Sequence, residues 1–150
     1  SYPRFDLQSA PLDGGTVLTQ VDRDGKETVY DAKSGGEAVG LPVAILVGPG
    51  SASGSEVLSG ALRDHGIAKL IGETTFGKGS VNHLRELSDG GALYVTIARW
   101  LTPNGEQIEG VGLTPDVKVE PSEEELITGE GPQLYAAINY LHSDVAQSQP

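Results

Sequence analysis

Gly50-Ser51-Ala52-Ser53-Gly54-Ser55-Glu56 places serines at alternate positions, and Phe76-Gly77-Lys78-Gly79-Ser80 places one lysine between two glycines. A serine and a neutral lysine on neighbouring loops suffice for nucleophilic catalysis: the amine takes the hydroxyl proton while the oxygen attacks an acyl carbon. A serine at the first turn of a helix gains further, because the helix dipole favours negative charge there. Backbone N–H groups left over by the helix start can also bind an oxyanion. Burial in an apolar, water-poor loop disfavours a charged lysine, lowering its pKa so that it can act as a general base near neutral pH. Lys78, with Phe76 nearby and few acids close in sequence, is expected to have such a setting.

The same residues carry rival readings. Ser53-Gly54-Ser55-Glu56 is a capping box, S-x-x-E, opening an apolar helical run. Local chemistry alone favours that capping role for Ser53, and spacing does not choose among Ser51, Ser53 and Ser55. An isolated loop lysine is more often a solvated charge than a base. Residues 72–80 approach the phosphate loop GxxxxGK[ST], but Gly79 stands where the magnesium-binding hydroxyl belongs, and a strand pattern follows instead of a helix. Residues 48–54 approach a dinucleotide loop, but the glycine spacing is off by one and Pro49 stiffens the turn. His65, His83 and His142 lack zinc-site spacing, and without cysteine there is neither a disulfide nor a thiol nucleophile.

The elements that must hold these loops follow from periodicity. Residues 42–47 are apolar on both faces, the pattern of a buried central strand. Residues 53–65 read as a helix with Val57, Leu58, Ala61 and Leu62 on one stripe and Gly66 as its stop. A strand over 68–71 completes a βαβ unit, which implies a parallel pair. Upstream, Asp22-Arg23-Asp24-Gly25 is turn chemistry between short strands at 16–21 and 27–30. Downstream, strands at 80–87 and 92–101 form a hairpin; the second puts Leu93, Val95 and Ile97 on one face and Tyr94, Thr96, Ala98 and Trp100 on the other. A short edge strand at 117–119 and a helix at 133–141 close the pattern. Residues 1–15 read as a poorly ordered, irregular lead-in, 33–40 as a Gly-rich loop and 143–150 as a frayed tail.

These elements describe one α/β domain, and 150 residues suffice for a sizeable core. The net charge of −11 argues against nucleic acid and against an anionic membrane surface as partners. Residues 106–130 concentrate carboxylates with Lys118 as the one cation, which reads as a solvated acidic face. No apolar run approaches the ~20 residues of a membrane span. The chain has no methionine and begins Ser-Tyr-Pro-Arg, which we read as a piece of a longer protein without its targeting segment.

The run from 41 to 117 resembles the C-terminal (tail-specific) processing proteases, the serine peptidases of family S41. The resemblance is carried, in order, by the strand 42–47, the loop Gly50-Ser51-Ala52-Ser53-Gly54-Ser55-Glu56-Val57 and Gly60-Ala61-Leu62-Arg63-Asp64-His65-Gly66. Ile71-Gly72-Glu73-Thr74-Thr75-Phe76-Gly77-Lys78-Gly79-Ser80-Val81, Leu87-Ser88-Asp89-Gly90, Thr102-Pro103-Asn104-Gly105 and Gly110-Val111-Gly112-Leu113-Thr114-Pro115-Asp116-Val117 complete it. It implies a crotonase/ClpP-like α/β/α core, of which residues 16–142 would be a C-terminal part, without the N-terminal part of the core or a PDZ domain. It implies Ser53 as nucleophile, Lys78 as general base and the Gly54 N–H as an oxyanion donor, with no cofactor and no metal. It further implies protein or peptide substrates cleaved near their C-termini, and an extracytoplasmic location.

Departures from the family pattern accompany it. Gly54 replaces the usual Ala. Asn82 stands where a Gln usually positions the lysine, one methylene shorter. The family's upstream Pro-Gly-Gly turn, which supplies a second oxyanion N–H, has only a faint echo in Pro11-Leu12-Asp13-Gly14-Gly15. These departures feed an alternative, a non-catalytic binding or scaffold module on the same fold. A core cut short also exposes strand edges, so a homo-oligomer formed by strand exchange is expected.

Overall fold

The computed structural model describes residues 11–147 apart from residue 37, with side chains through residue 143. Ten elements follow in order: β1 (Thr16–Asp22), β2 (Glu27–Asp31), β3 (Val43–Val47), α1 (Gly54–Asp64), β4 (Ala68–Gly72), β5 (Ser80–Glu86), β6 (Ala92–Leu101), β7 (Val117–Lys118), α2 (Glu123–Thr128) and α3 (Pro132–Gln147). Two sheets form. One is parallel, in the order β3-β4-β7; the other is antiparallel, in the order β2-β1-β6-β5. The βαβ unit is present as read: β3 and β4 pair in parallel from Val43↔Ala68 to Val47↔Gly72.

α1 joins the sheets, packing on β1 and β4, while α3 packs on β3 and β4. Its buried stripe, Val57, Ala61 and Leu62, meets Leu18, Leu70 and Leu113 in one core. Burying each such leucine stabilises the fold by roughly 1.5–3 kcal/mol. α1 stops at a Schellman turn. Gly66, at φ +71, donates its N–H to Arg63 O at 2.8 Å, and the Ile67 N–H reaches Leu62 O at 2.9 Å. The last turn also grips the 102–106 loop. Arg63 pairs with Asp64 and Glu106, and Asp64 Oδ2 accepts the Asn104 N–H at 2.9 Å. Burial lowers the Arg63 pKa, but the hydrogen bonds and charges of those two carboxylates outweigh it and hold the guanidinium above its ordinary value.

Four expectations are corrected. The strand expected to be central, β3, is an edge strand among the described residues: only β4 pairs with it, and Leu46 is 43% exposed. Residues 11–15 are irregular, as expected, but not loose. Leu12 is 1% exposed in the core, and Asp13 Oδ1 accepts the Gly35 N–H at 2.9 Å; residues 1–10 lie outside the described set. The acidic segment is not merely solvated. Asp116 Oδ2 accepts the Leu70 N–H at 2.8 Å, and buried Glu125 accepts the Gln133 and Leu134 N–H groups, tying α2 to the start of α3. Finally, the last helix does not fray at Ser143; α3 runs on to Gln147, since no Gly or Pro interrupts it. Residues 148–150 lie outside the described set.

Candidate functional site

The β3–α1 loop sorts its three serines by hydrogen bonding. Ser51 closes a turn on Gly48: its N–H donates to Gly48 O at 2.8 Å, and its Oγ accepts the Gly48 N–H at 3.2 Å. Ser55 donates its hydroxyl to Ala52 O at 2.8 Å. The Ser55 hydroxyl proton and a Ser51 Oγ lone pair are thus engaged locally. Ser53 differs. It stands at the N-cap of α1 with φ 59 and ψ −119, the one non-glycine at positive φ among the described residues. Its Oγ faces the helix start within the capping box but forms no cap hydrogen bond of ordinary geometry. Holding a non-glycine in this region costs of order 1–3 kcal/mol, and such strain concentrates where a side chain has work to do. A sharp strand-to-helix turn of this kind is how α/β hydrolases expose a nucleophilic serine.

What holds the strained turn is Glu56. It is completely buried. Its Oε2 accepts the Ser53 N–H and the Lys78 N–H, each at 2.8 Å. Its Oε1 accepts the Gly77 N–H at 2.7 Å and the Thr75 hydroxyl at 2.5 Å. The Ser53 and Lys78 backbone nitrogens therefore share one oxygen and lie no further apart than twice 2.8 Å. Two further bonds seat the lysine loop: Phe76 N–H to Ser51 O at 2.9 Å, and Leu113 N–H to Thr75 Oγ1 at 2.7 Å.

The glycines beside Lys78 serve different ends. Gly77 takes φ +87, and its O accepts the Gly110 N–H at 2.9 Å. Gly79 is needed for closeness: a Cβ there would lie 2.6 Å from the Glu109 nitrogen and 2.7 Å from Ile108 Cβ. Glu109 Oε2 also accepts the Gly79 N–H at 2.7 Å. The loop is thus clamped between Glu56 and the 108–112 segment.

The setting expected for Lys78 is corrected on one point. Both Lys78 and Phe76 are exposed, Phe76 by 66%, as is Val111 by 63%. The loop backbone is buried at Gly77 and Gly79 while the side chains on either side point outward, so the described residues form no water-poor pocket around the amine. Asn82 lies on β5. Its amide accepts from Thr96 Oγ1 at 2.7 Å across the strand pair and donates to Ser80 Oγ at 3.3 Å. The Gly54 N–H, at the first helical position, is taken up by none of the loop's carbonyls or carboxylates. The Pro11–Gly15 segment lies at the other end of α1. Gly15 abuts His65, whose Nε2 is 2.7 Å from Thr16 O. Eleven helical residues, about 16 Å at 1.5 Å each, separate it from Ser53.

Sequence reasoning missed the roles of Glu56 and Thr75. The capping box flagged Glu56 as a helix-start residue, and nothing in a one-helix pattern announces that it also binds a loop 19–22 residues further on. Among the described residues, no three His, Asp or Glu side chains are placed to hold a metal ion.

Comparison with known proteins adds to this geometry. The family model described as peptidase family S41 matches residues 4–119. The Arabidopsis thaliana carboxyl-terminal-processing peptidase 3, chloroplastic, is 40% identical over 127 residues, covering 84% of this chain and 24% of that protein. The carboxyl-terminal-processing protease of Synechocystis sp. is 39% identical over 145 residues, covering 95% of this chain and 34% of that protein. Among solved structures, the photosystem II D1 C-terminal processing protease superposes with a TM-score of 0.71 at 38% identity, over 76% of this chain and 30% of that one. The chain thus spans about a quarter to a third of the length of these relatives.

Proposed function

The chain belongs to peptidase family S41, and from that premise we propose that it carries the Ser53–Lys78 dyad of a serine endopeptidase that cleaves proteins near their C-termini. The observation that supports this most is the shared oxygen of Glu56, which brings the two loops within one hydrogen-bond relay of each other. In this reading residues 16–142 form part of a crotonase/ClpP-like α/β/α catalytic domain, and the protein works outside the cytoplasm.

The mechanism is acyl transfer. Neutral Lys78 Nζ takes the Ser53 proton as Oγ attacks the scissile carbonyl. The Gly54 N–H donates to the developing oxyanion, and Lys78 passes its proton to the leaving amine. Water, deprotonated by Lys78, then releases the acyl group. Exposed Lys78 needs a drier setting for this. A polypeptide lying over Phe76 and Val111 would cover the amine and exclude water from it. No step calls for a metal or a nucleotide.

The test is cleavage of an unfolded, C-terminally tagged protein by the protein as its gene encodes it. Ser53→Ala should abolish turnover, and Lys78→Ala should lower it by about 10²–10⁴-fold, the range of a general base. Wild-type turnover in either variant would overturn the assignment. One observation favours a second reading, a binding module without turnover: the Asn82 amide is engaged by Thr96 and Ser80, and no hydrogen bond joins it to Lys78. Under that reading the wild-type protein binds such substrates and leaves them intact.

A further inference from the structure

β6 outruns β1. Their pairing runs from Thr19↔Leu101 to Asp22↔Ala98 and stops, whereas the β5 pairing on the other side of β6 continues to Ala92. Residues 92–97 therefore present, on the β1 side, a strand edge with no strand partner among the described residues. Consecutive side chains flank it in the open, on alternating faces: Leu93 is 50% exposed, Tyr94 69% and Val95 46%. Where β1 gives out, residues 21–23 and 96–99 line an open cleft of about 480 Å³. That is within the ordinary size of a ligand site, ~300–1,000 Å³.

The cleft sets two guanidinium groups against one carboxylate in a chain of net charge −11. Arg23 and Arg99 line it. Asp22 also lines it, but its Oδ1 is occupied by the Asp24 and Lys26 N–H groups of the turn, each at 2.9 Å. The contact of Arg23 with Asp24 is 3.5 Å between side chains 87% and 76% exposed, a pair easily displaced. Arg99 is exposed and has no ion pair among the described residues.

Direction and occupant follow from this layout. A peptide laid on the 92–97 edge occupies the line of β1 and must stop at the Asp22 end of β1. Running antiparallel to β6, it would begin there with an ammonium facing two guanidinium groups. Running parallel, it ends there with a carboxylate, which arginines bind by charge-assisted hydrogen bonds. We propose that the 92–97 edge of β6 takes up an extended peptide by strand addition, parallel to β6, with its free C-terminal carboxylate between Arg23 and Arg99. Main-chain hydrogen bonds supply the affinity, and the exposed side chains of β6 read alternate residues. This site is independent of the Ser53–Lys78 dyad.

The test uses a fluorescein-labelled octapeptide of alternating threonine and valine, with a free or an amidated C-terminus, titrated against the protein as its gene encodes it by fluorescence anisotropy. The free acid should bind at least about tenfold more tightly than the amide, a difference of ~1.4 kcal/mol. The double variant Arg23→Gln, Arg99→Gln, checked for an unchanged melt, should bind both peptides alike. Amide hydrogen exchange should slow at residues 92–97 when the free acid is bound. Equal affinities in the wild type, no binding of either peptide, or a preference that survives in the double variant would each overturn the proposal. So would protection of 92–97 that rises with protein concentration in the absence of peptide, which would mean that a second copy fills the edge.

Discussion

Replacing Glu56 by Gln should unsettle both loops at once. A carboxylate offers about four acceptor sites, and Glu56 uses them for four donors while fully buried. Glutamine keeps the shape but turns one oxygen into a donor, so one pair of donors loses its acceptor. If the amide nitrogen faces Thr75 and Gly77, the threonine hydroxyl can rotate and only the Gly77 N–H is stranded. If it faces Ser53 and Lys78, two backbone N–H groups are stranded. Each orphaned buried donor costs about 1–3 kcal/mol, which puts the loss near 3 kcal/mol for the better arrangement once the weaker, uncharged acceptor is included. For a chain of this size that corresponds to a melting temperature lower by about 6–12 °C. Glu56→Ala strands all four donors and opens a cavity, so it should melt lower still. Differential scanning calorimetry of the three proteins reads the series. A Gln variant within about 1 °C of wild type, or an Ala variant no worse than the Gln variant, would refute the reasoning that this carboxylate holds the two loops together.

Three variants test neighbouring parts of the account. Ser53→Gly should raise the melting temperature by about 2–4 °C, because relief of roughly 1–3 kcal/mol of strain exceeds the ~0.5–1 kcal/mol cost of glycine's freedom, while turnover is lost; an unchanged or lower melt argues against strain at φ 59. Gly79→Ala should cost about 1–3 kcal/mol by overpacking against the Glu109 backbone and should displace Lys78; thermal melts and turnover read both effects. Gly48→Ala, where a Cβ would meet nothing within 4 Å, should change the melt by less than about 0.5 kcal/mol's worth.

Local patterns reported local structure well. The apolar run, the helical stripe and the Asp-Gly turn gave β3, α1 and the β1–β2 hairpin with ends displaced by a residue or two, because each is encoded by its own neighbours. The capping box located Ser53 at the mouth of α1, and the ordered motifs around it pointed to the family. What the patterns could not carry was partnership at a distance. Whether β3 is central or at an edge depends on strands that pair with it, not on its own residues. The acidic run looked like a solvated face because Asp116 and Glu125 bind backbone N–H groups of other segments, at Leu70 and at the start of α3. Glu56 is the sharpest case: its capping role lies within four residues and was legible, while its grip on residues 75–78 depends on the fold that brings that loop back. The exposure of Lys78 was also hidden, since sequence neighbours such as Phe76 do not say which way a loop turns its side chains.

The dyad is tested most directly by locating the acyl-enzyme. The protein as its gene encodes it would be mixed with an excess of an activated peptide ester, quenched in acid within the first turnover, digested and mapped by mass spectrometry. The account predicts the acyl group on Ser53, absent in Ser53→Ala, unaffected by Ser51→Ala or Ser55→Ala, and formed about 10²–10⁴-fold more slowly in Lys78→Ala. An acyl group on Ser51 or Ser55, or an undiminished rate without Lys78, would contradict it.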